Sequence, residues 1–485
     1  MPERDERAAT GEQAGRAATS LDPSIPDPSG PGRFHYAGLG GSGMSALAQF
    51  QVMSGGRASG SDRAFDKGER AAGRAQLEKL GITIHRQDGS GIGDDCAALV
   101  VSSAVESEVA DVATAKLRGV PIIHRAELLA HYVARYRSVA VAGTSGKSTV
   151  VAMIFEILRG AGRNPSVITG GDLVMLQREG LWGNAWYGGS ELLVVEADES
   201  DGSLIRYRPA FGLVLNLQRD HKEMSEVAGM FATLRERTRE AFVVGEGDNL
   251  AALARGATVF GFGAGAAVRG ESIALAADAC RFTVEGVPFT IPVPGRHNIE
   301  NALAAVAACQ AAGVALAEMV GPLAAFQGVG RRFQPLGRAR GVEVVDDFAH
   351  NPAKLEAAIT TAQARVPEGR VLAIYQPHGY GPTRFLRRDF VTTFSSVLRP
   401  DDHLWLLEVY YAGGTATRDF SSADIVAEIA ATGTRAEFAP GREWLAERVA
   451  HDARPGDLVL VMGARDPSLT ELARDILVTL GRTAG

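Results

Sequence analysis

Lys147 and the hydroxyls that follow it, Ser148 and Thr149, close a glycine turn within "VAVAGTSGKSTVVAMIFEIL", residues 139–158. A lysine at such a turn reaches the terminal phosphates of a nucleotide, and the next hydroxyls are offered to Mg2+. Ser138 to Ala142 reads as a short apolar strand, and Val150 to Leu158 continues with helical periodicity. The turn therefore sits at a helix N-terminus, where consecutive N–H groups face an anion. One residue departs from the general pattern G-x-x-x-x-G-K-[ST]: Val141 stands where the first glycine is expected, and a different glycine, Gly143, precedes Gly146 by three residues. Either Gly143, Thr144, Ser145 and Gly146 form a shortened phosphate loop, or a strand–turn–helix carries Gly-Lys-Ser by chance.

Other polar groups end apolar strands, where α/β sheets place ligands. Glu196 closes "LLVVE", with Asp198 and Glu199 crowded after it, and His221 follows "GLVLN". A carboxylate and an imidazole near a phosphate loop suit a second Mg2+, with Ser148, Glu196 and His221 as the donor set. Asn298, in "GRHNIENAL", either caps a helix or reads an adenine edge. Arg332 and Asp347 flank a charged junction; a cation there reaches phosphate and a carboxylate reaches ribose, unless the two simply pair. His350, Gln376 and His378 lie at strand ends and line the same cleft. Near the start, Gly38, Gly40 and Gly43 give G-x-G-x-x-G, with Asp62 a little over twenty residues on, the fingerprint that a nicotinamide-dependent dehydrogenase also carries.

The elements that must hold these groups alternate strand and helix throughout. With 485 residues the chain is long enough for about three domains. We expect three successive α/β units with mostly parallel strands: 33–136, 137–334 and 335–485, after a polar, disordered tail over 1–32. "ALAAVAACQAAGVALAEMVGPLAAF", residues 302–326, is interrupted by Gln310, Gly313, Glu318 and Pro322, which favours buried helices over a membrane span. The net charge of -7 supplies no basic field for nucleic acid. Three scattered cysteines, Cys96, Cys280 and Cys309, form neither a disulfide framework nor a metal knuckle and fit a reducing cytoplasm. No secretory signal precedes residue 33. Nothing in the sequence specifies an oligomer.

These pieces in this order resemble the Mur ligase family, ATP-dependent enzymes that build the peptide of bacterial cell-wall precursors. "GTSGKST", "GRHNIENALAA" and "DDFAHNP" are similar to its three shared motifs, and the resemblance covers the chain from about Arg33 onward. Within the family "AGLGGSGMSALA", "VVSSAV", "EADESDGS" and "FQGVGRRF" look most like the alanine-adding branch. "FATLRERTRE" also lacks the lysine that some other members carbamylate.

The resemblance implies a short phosphate loop as a family trait, a Rossmann-like first unit, a central ATPase and a third unit for the amine acceptor. It implies ATP and Mg2+ as cofactors, with UDP-N-acetylmuramate and a small amino acid as substrates. It also implies that Gly40, Gly41, Ser42, Gly43, Met44, Ser45, Asp62 and Ser102 bind the UDP-sugar. Lys147, Glu196, His221 and His350 would be catalytic. Asn298, Arg332 and Asp347 would join the loop in holding ATP. Two departures bear on the acceptor. Gly379 and Pro382 stand where two arginines are typical, leaving His378 and Arg384 to receive it, and "DDFAHNP" has Phe348, Ala349 and Asn351 for Tyr, Gly and His. The alternatives are a recycling ligase that attaches a preformed peptide and a non-catalytic nucleotide-binding homologue.

Overall fold

The computed structural model describes residues 23–199, 202–218, 223–411, 417–464, 466 and 468–482. His221 lies outside them. Of the expected tail, residues 23–32 pack onto the first unit: Ile25 is buried, Asp27 pairs with Arg135, and the Pro28 carbonyl accepts from Gln51 Nε2.

The first sheet has five parallel strands, in the order Thr83–His85, Arg57–Ser61, Arg33–Ala37, Cys96–Val101 and Ile122–His124. The strand order reverses beside Arg33–Ala37, so the glycine loop that follows it opens at the crevice of the sheet. The loop runs into helix Ser42–Met53, which is buried over Met44 to Gln51. A helix buried this extensively must satisfy its polar side chains internally. Gln51 does so by accepting from Tyr36 Oη, and Gln49 in part, its Nε2 donating to Asn184 Oδ1 while its Oε1 has no partner among the described residues.

The second sheet orders its strands Val268–Arg269, Thr258–Gly261, Ala241–Gly245, Phe211–Val214, Arg137–Ala142, Leu192–Glu196, Ser166–Ile168 and Ala185–Trp186. Only the last pair is antiparallel. Arg137–Ala142 is central and covered on both faces, which is why it reads as a continuous apolar run. Helix Lys147–Gly160 follows it and is buried from Val150 to Leu158. The alanine-rich stretch forms helices Arg296–Ala311 and Leu316–Ala324, both packed into the core. No helix among the described residues is long and apolar enough to cross a membrane.

A three-stranded antiparallel meander, Glu271–Leu275, Cys280–Val284 and Val287–Ile291, was not anticipated. Its signals are local: alternating burial over Cys280–Val284, and a two-residue turn in which Glu285 and Gly286 both have positive φ, 51° and 78°. The third sheet orders Gln334–Ala339, Val342–Asp347, Leu458–Met462, Val371–Tyr375, His403–Leu406 and Ala436–Phe438, antiparallel only in its first pair.

The join between the second and third units is short and tied down on both sides. Gly330 N–H donates to the Asp172 carbonyl at 2.7 Å, and Val329 bridges Leu173. Arg331, the next residue, belongs to the third unit: its amide donates to Gln334 Oε1, and its guanidinium donates to the Gly463 and Ala464 carbonyls. Arg331 and Phe333 hold left-handed backbone at φ 57° and 46°. Such positions cost non-glycine residues about 1–3 kcal/mol each and persist only where surrounding bonds impose them.

Just upstream, Gln327 N–H donates to Oε2 of the buried Glu156, and burial pushes that carboxyl up to about 8. The folded state therefore favours the protonated acid, while the unfolded chain ionises near 4.5. Stability from this group is full below about 4.5 and is lost as pH rises toward 8. Glu156→Gln, which carries no such cost, is expected to match the parent near pH 4.5 and to exceed it by about 2–4 kcal/mol near pH 8. Urea midpoints at the two pH values check this; parallel pH profiles would refute it.

Candidate active site

The phosphate loop is built by its two glycines. Gly143 and Gly146 have φ of 139° and 86°, and a Cβ on Gly146 would lie 2.4 Å from Asn301 Oδ1. Val141 is a fully buried strand residue paired beside Leu213, so the turn begins two residues later than in the longer pattern. Asn216 braces the loop: its Oδ1 accepts from Thr144 Oγ1 and the Ser145 N–H, each at 2.9 Å, and its Nδ2 donates to the Ser145 carbonyl.

Lys147 Nζ donates to the Gly143 carbonyl at 2.8 Å and to Glu199 Oε2 at 2.6 Å, with Asp198 Oδ1 at 3.7 Å. Burial works most strongly against its charge, but the carboxylates of Glu199, Asp198 and Glu196 together outweigh that and hold the amine above its ordinary value. Glu196 Oε2 accepts from Ser148 Oγ at 3.0 Å, Thr169 Oγ1 at 2.9 Å and the Gly170 N–H at 3.1 Å. Among the described residues no cluster of three or more His, Cys, Asp and Glu could hold a metal. Mg2+ takes one or two protein oxygens and completes its octahedron with water and phosphate, so Ser148 and Glu196 form a suitable hard-oxygen donor set.

Opposite the loop stands the start of the third unit. Asp347 accepts from the Phe333 and Ala349 N–H groups, both at 2.7 Å, and burial raises its pKa against the pull of Arg332. Arg332 does not form an ion pair with Asp347; its guanidinium lies 4.8 Å over the Phe348 ring. The His350 and His378 rings meet edge to face at 5.5 Å. Loop and third unit enclose a cleft of about 1400 Å³, lined by Lys147, Glu196, Asn298, Arg332, Asp347 and His378 among others. Ser145, Ser148, Thr149 and His350 also face it. That is larger than an ordinary single-ligand pocket. Asn298 is not the helix cap, which is Gly295; its Nδ2 donates to the Pro294 carbonyl and its Oδ1 accepts from Asn301.

Three expectations change. Met44 and Ser45 do not reach the open side of the glycine loop. Their side chains are buried, their N–H groups both donate to the Gly41 carbonyl, and Ser45 Oγ is engaged by Asn184 Nδ2. Asp62 uses both carboxylate oxygens on backbone, accepting from Gly40 N–H and Ala64 N–H, so it shapes the loop from beneath. Arg384 does not line the cleft. On helix Tyr380–Val397 the inward face is Thr383, Phe390 and Phe394, and Arg384 turns outward to pair with Asp419. Ser42 and Gly43 stay at the exposed first turn, and Ser103, next to the expected Ser102, faces the cleft. Asn216 and Thr169 escaped sequence reasoning, although each is the first polar residue after a buried strand, the same signal that marked Glu196. Arg70 was missed as well: its guanidinium donates to the Gly40 carbonyl.

Three family models match successive parts of the chain: "Mur ligase family, catalytic domain" over 33–137, "Mur ligase middle domain" over 141–309, and "Mur ligase, glutamate ligase domain" over 331–465. The chain is 34% identical over 467 residues to the UDP-N-acetylmuramate–L-alanine ligase of Clavibacter michiganensis subsp. michiganensis, covering 94% of each. It is 36% identical over 459 residues to that of Xanthomonas axonopodis pv. citri, covering 90% of this chain and 93% of the relative. Among solved structures it is similar to the UDP-N-acetylmuramate–alanine ligase of Thermotoga maritima, with a TM-score of 0.78 and 25% identity over 93% of this chain and 100% of the other. The fold is also that of a murein peptide ligase from Psychrobacter arcticus, with a TM-score of 0.66 and 20% identity over 93% of this chain and 99% of the other.

Proposed function

The chain belongs to the Mur ligase family, and from that premise we propose that it joins L-alanine to UDP-N-acetylmuramate at the expense of ATP, in peptidoglycan precursor synthesis. One observation carries the reading: a single cleft gathers the phosphate loop with Lys147 and Glu196 on one side, and Arg332, Asp347 and His350 on the other. We take the units as 33–136 for the UDP-sugar, 137–330 for ATP and 331–485 for the acceptor, the expected boundary after 334 moving back to the join at Gly330 and Arg331.

The muramoyl carboxylate takes the γ-phosphoryl group of ATP, giving an acyl phosphate and ADP. The amine of L-alanine attacks the acyl carbon, a tetrahedral intermediate forms, the amine proton is lost, and phosphate leaves as the amide closes. Lys147 neutralises charge on the transferring group, its ammonium kept protonated by the carboxylates around it. Arg332 offers a half-buried guanidinium with no carboxylate bound to it, suited to a phosphate oxygen. Asp347 offers oxygens to a ribose, and Asn298 an amide to the base. His350 lies at the acceptor side, its Nδ1 hydrogen-bonded to the Phe348 carbonyl. Ser148 and Glu196 would hold Mg2+, which when bound supplies Lewis-acid neutralisation of phosphate oxygens. The enzyme works in the cytoplasm, in keeping with three buried cysteines, all free.

A second reading is favoured by the acceptor side. Residues 376–382 hold no arginine or lysine, and Arg384 is paired outward. A peptide acceptor, as used by recycling ligases, places its carboxylates further from the reacting amine. Phosphate release from ATP should require both UDP-N-acetylmuramate and an amine acceptor, with L-alanine preferred over glycine and over muramyl-type peptides. A preference for a peptide or glycine by more than about tenfold in kcat/KM, well over 1 kcal/mol, would replace L-alanine as the acceptor.

A further inference from the structure

We propose that Asn184 is a positioning residue that holds the glycine-loop helix of the first unit in register with the phosphoryl-transfer end of the second. The inference rests on the ligase reading and extends it to a residue that touches neither substrate.

Asn184 precedes the edge strand Ala185–Trp186, and its side chain is fully buried in the seam against helix Ser42–Met53. All three hydrogen-bonding functions of its amide cross that seam. Nδ2 donates to the Ser42 carbonyl at 3.0 Å and to Ser45 Oγ at 3.0 Å, while Oδ1 accepts from Gln49 Nε2 at 2.7 Å. The Ser42 carbonyl can only accept, which fixes which end of the amide faces the loop. Two of the bonds grip the first turn of the helix, next to the glycine loop, and the third holds it one turn further on.

The backbone of the same residue continues into the ATP site. The Asn184 carbonyl accepts from the Thr169 N–H at 3.0 Å, and Thr169 Oγ1 donates to Glu196 Oε2, the oxygen that also accepts from Ser148 Oγ. Three residues, Asn184, Thr169 and Glu196, therefore connect the helix that presents the UDP-sugar with the Ser148 hydroxyl that follows the phosphate-loop lysine. Around this path the seam is packed by rings: Phe50 meets Tyr187 at 5.9 Å, and a Cβ on Gly73 would lie 2.8 Å from the Trp182 ring. Apolar contacts of that kind tolerate small slips. A buried amide with both N–H groups and its oxygen engaged does not, because a slip leaves polar groups unpaired.

The expected consequence is coupling between the two substrate sites. In the parent enzyme, the Kd for UDP-N-acetylmuramate, measured by calorimetry with and without AMP-PNP and Mg2+, should differ by about 5–50-fold. In Asn184→Ala that ratio should fall below about threefold, with the Kd for each ligand alone changed less than threefold. A purely structural amide would lower the melting temperature and leave the ratio intact. Ser45→Ala deletes one of the three bonds without opening a large cavity and should lower the ratio partway; it decides the matter if Asn184→Ala does not fold. An unchanged ratio in the folded variants, or a parent ratio of one, overturns the proposal while leaving the ligase reading in place. Failure of the parent to bind UDP-N-acetylmuramate at all removes the ligase reading and this inference together.

Discussion

Lys147→Ala is expected to slow phosphate release by at least about a hundredfold, the typical loss when one donor to a developing charge is removed from a preorganised site. The ammonium lies at the mouth of the phosphate loop, held by the Gly143 carbonyl and Glu199. Its removal also leaves Asp198 and Glu199 facing the transferring group with no compensating cation beside them, so the local field changes sign as well as strength. The effect should fall on kcat at saturating ATP, which separates it from lost ground-state binding. Near-normal turnover in a folded Lys147→Ala protein would exclude the role.

Glu196→Gln is expected to cost about two to three orders of magnitude in kcat/KM and to raise the Mg2+ concentration for half-maximal activity about tenfold or more. The amide keeps the shape of the side chain but loses the negative charge that a divalent cation requires. If its Nε2 takes the place of Oε2, it presents N–H groups to three existing donors, Ser148 Oγ, Thr169 Oγ1 and the Gly170 N–H. A flipped amide keeps those bonds but turns N–H groups toward the cation instead. Titrating Mg2+ at fixed ATP checks the result. A variant with the parent's Mg2+ requirement and kcat within threefold would show that Glu196 does not hold the metal.

The strands that carry these groups were legible because each ends abruptly. A run such as "LLVVE" or "VEVVDD" is buried until its last residue, and the first charged side chain after it must emerge at the rim of the sheet. The phosphate loop and the glycine loop were legible for a related reason, since their glycines mark backbone that no other residue adopts cheaply. Side-chain direction on helices was not legible in the same way. Whether Arg384 faces the cleft or Asp419 depends on which face of helix Tyr380–Val397 meets the core, and the partner residue lies 35 positions away. Met44 and Ser45 turned inward because the seam with the second unit takes that face of their helix, a contact that no window around residue 45 contains. The meander at 271–291 interrupts the strand–helix alternation, and its short, half-exposed strands give a weak periodic signal. Asn184 has no local signature at all.

The join at Gly330 and Arg331 has a mechanical meaning. One residue is fastened to the second unit and the next to the third, so the two bodies share a pivot with almost no slack. Sliding of one body over the other is blocked; what the joint permits is rotation about a few backbone bonds. Displacement in a rotation grows with distance from the axis. Arg332, adjacent to the pivot, is therefore among the side chains of the third unit that any such swing displaces least relative to the phosphate loop. The nucleotide side of the cleft is thereby the side held nearest to a fixed gauge.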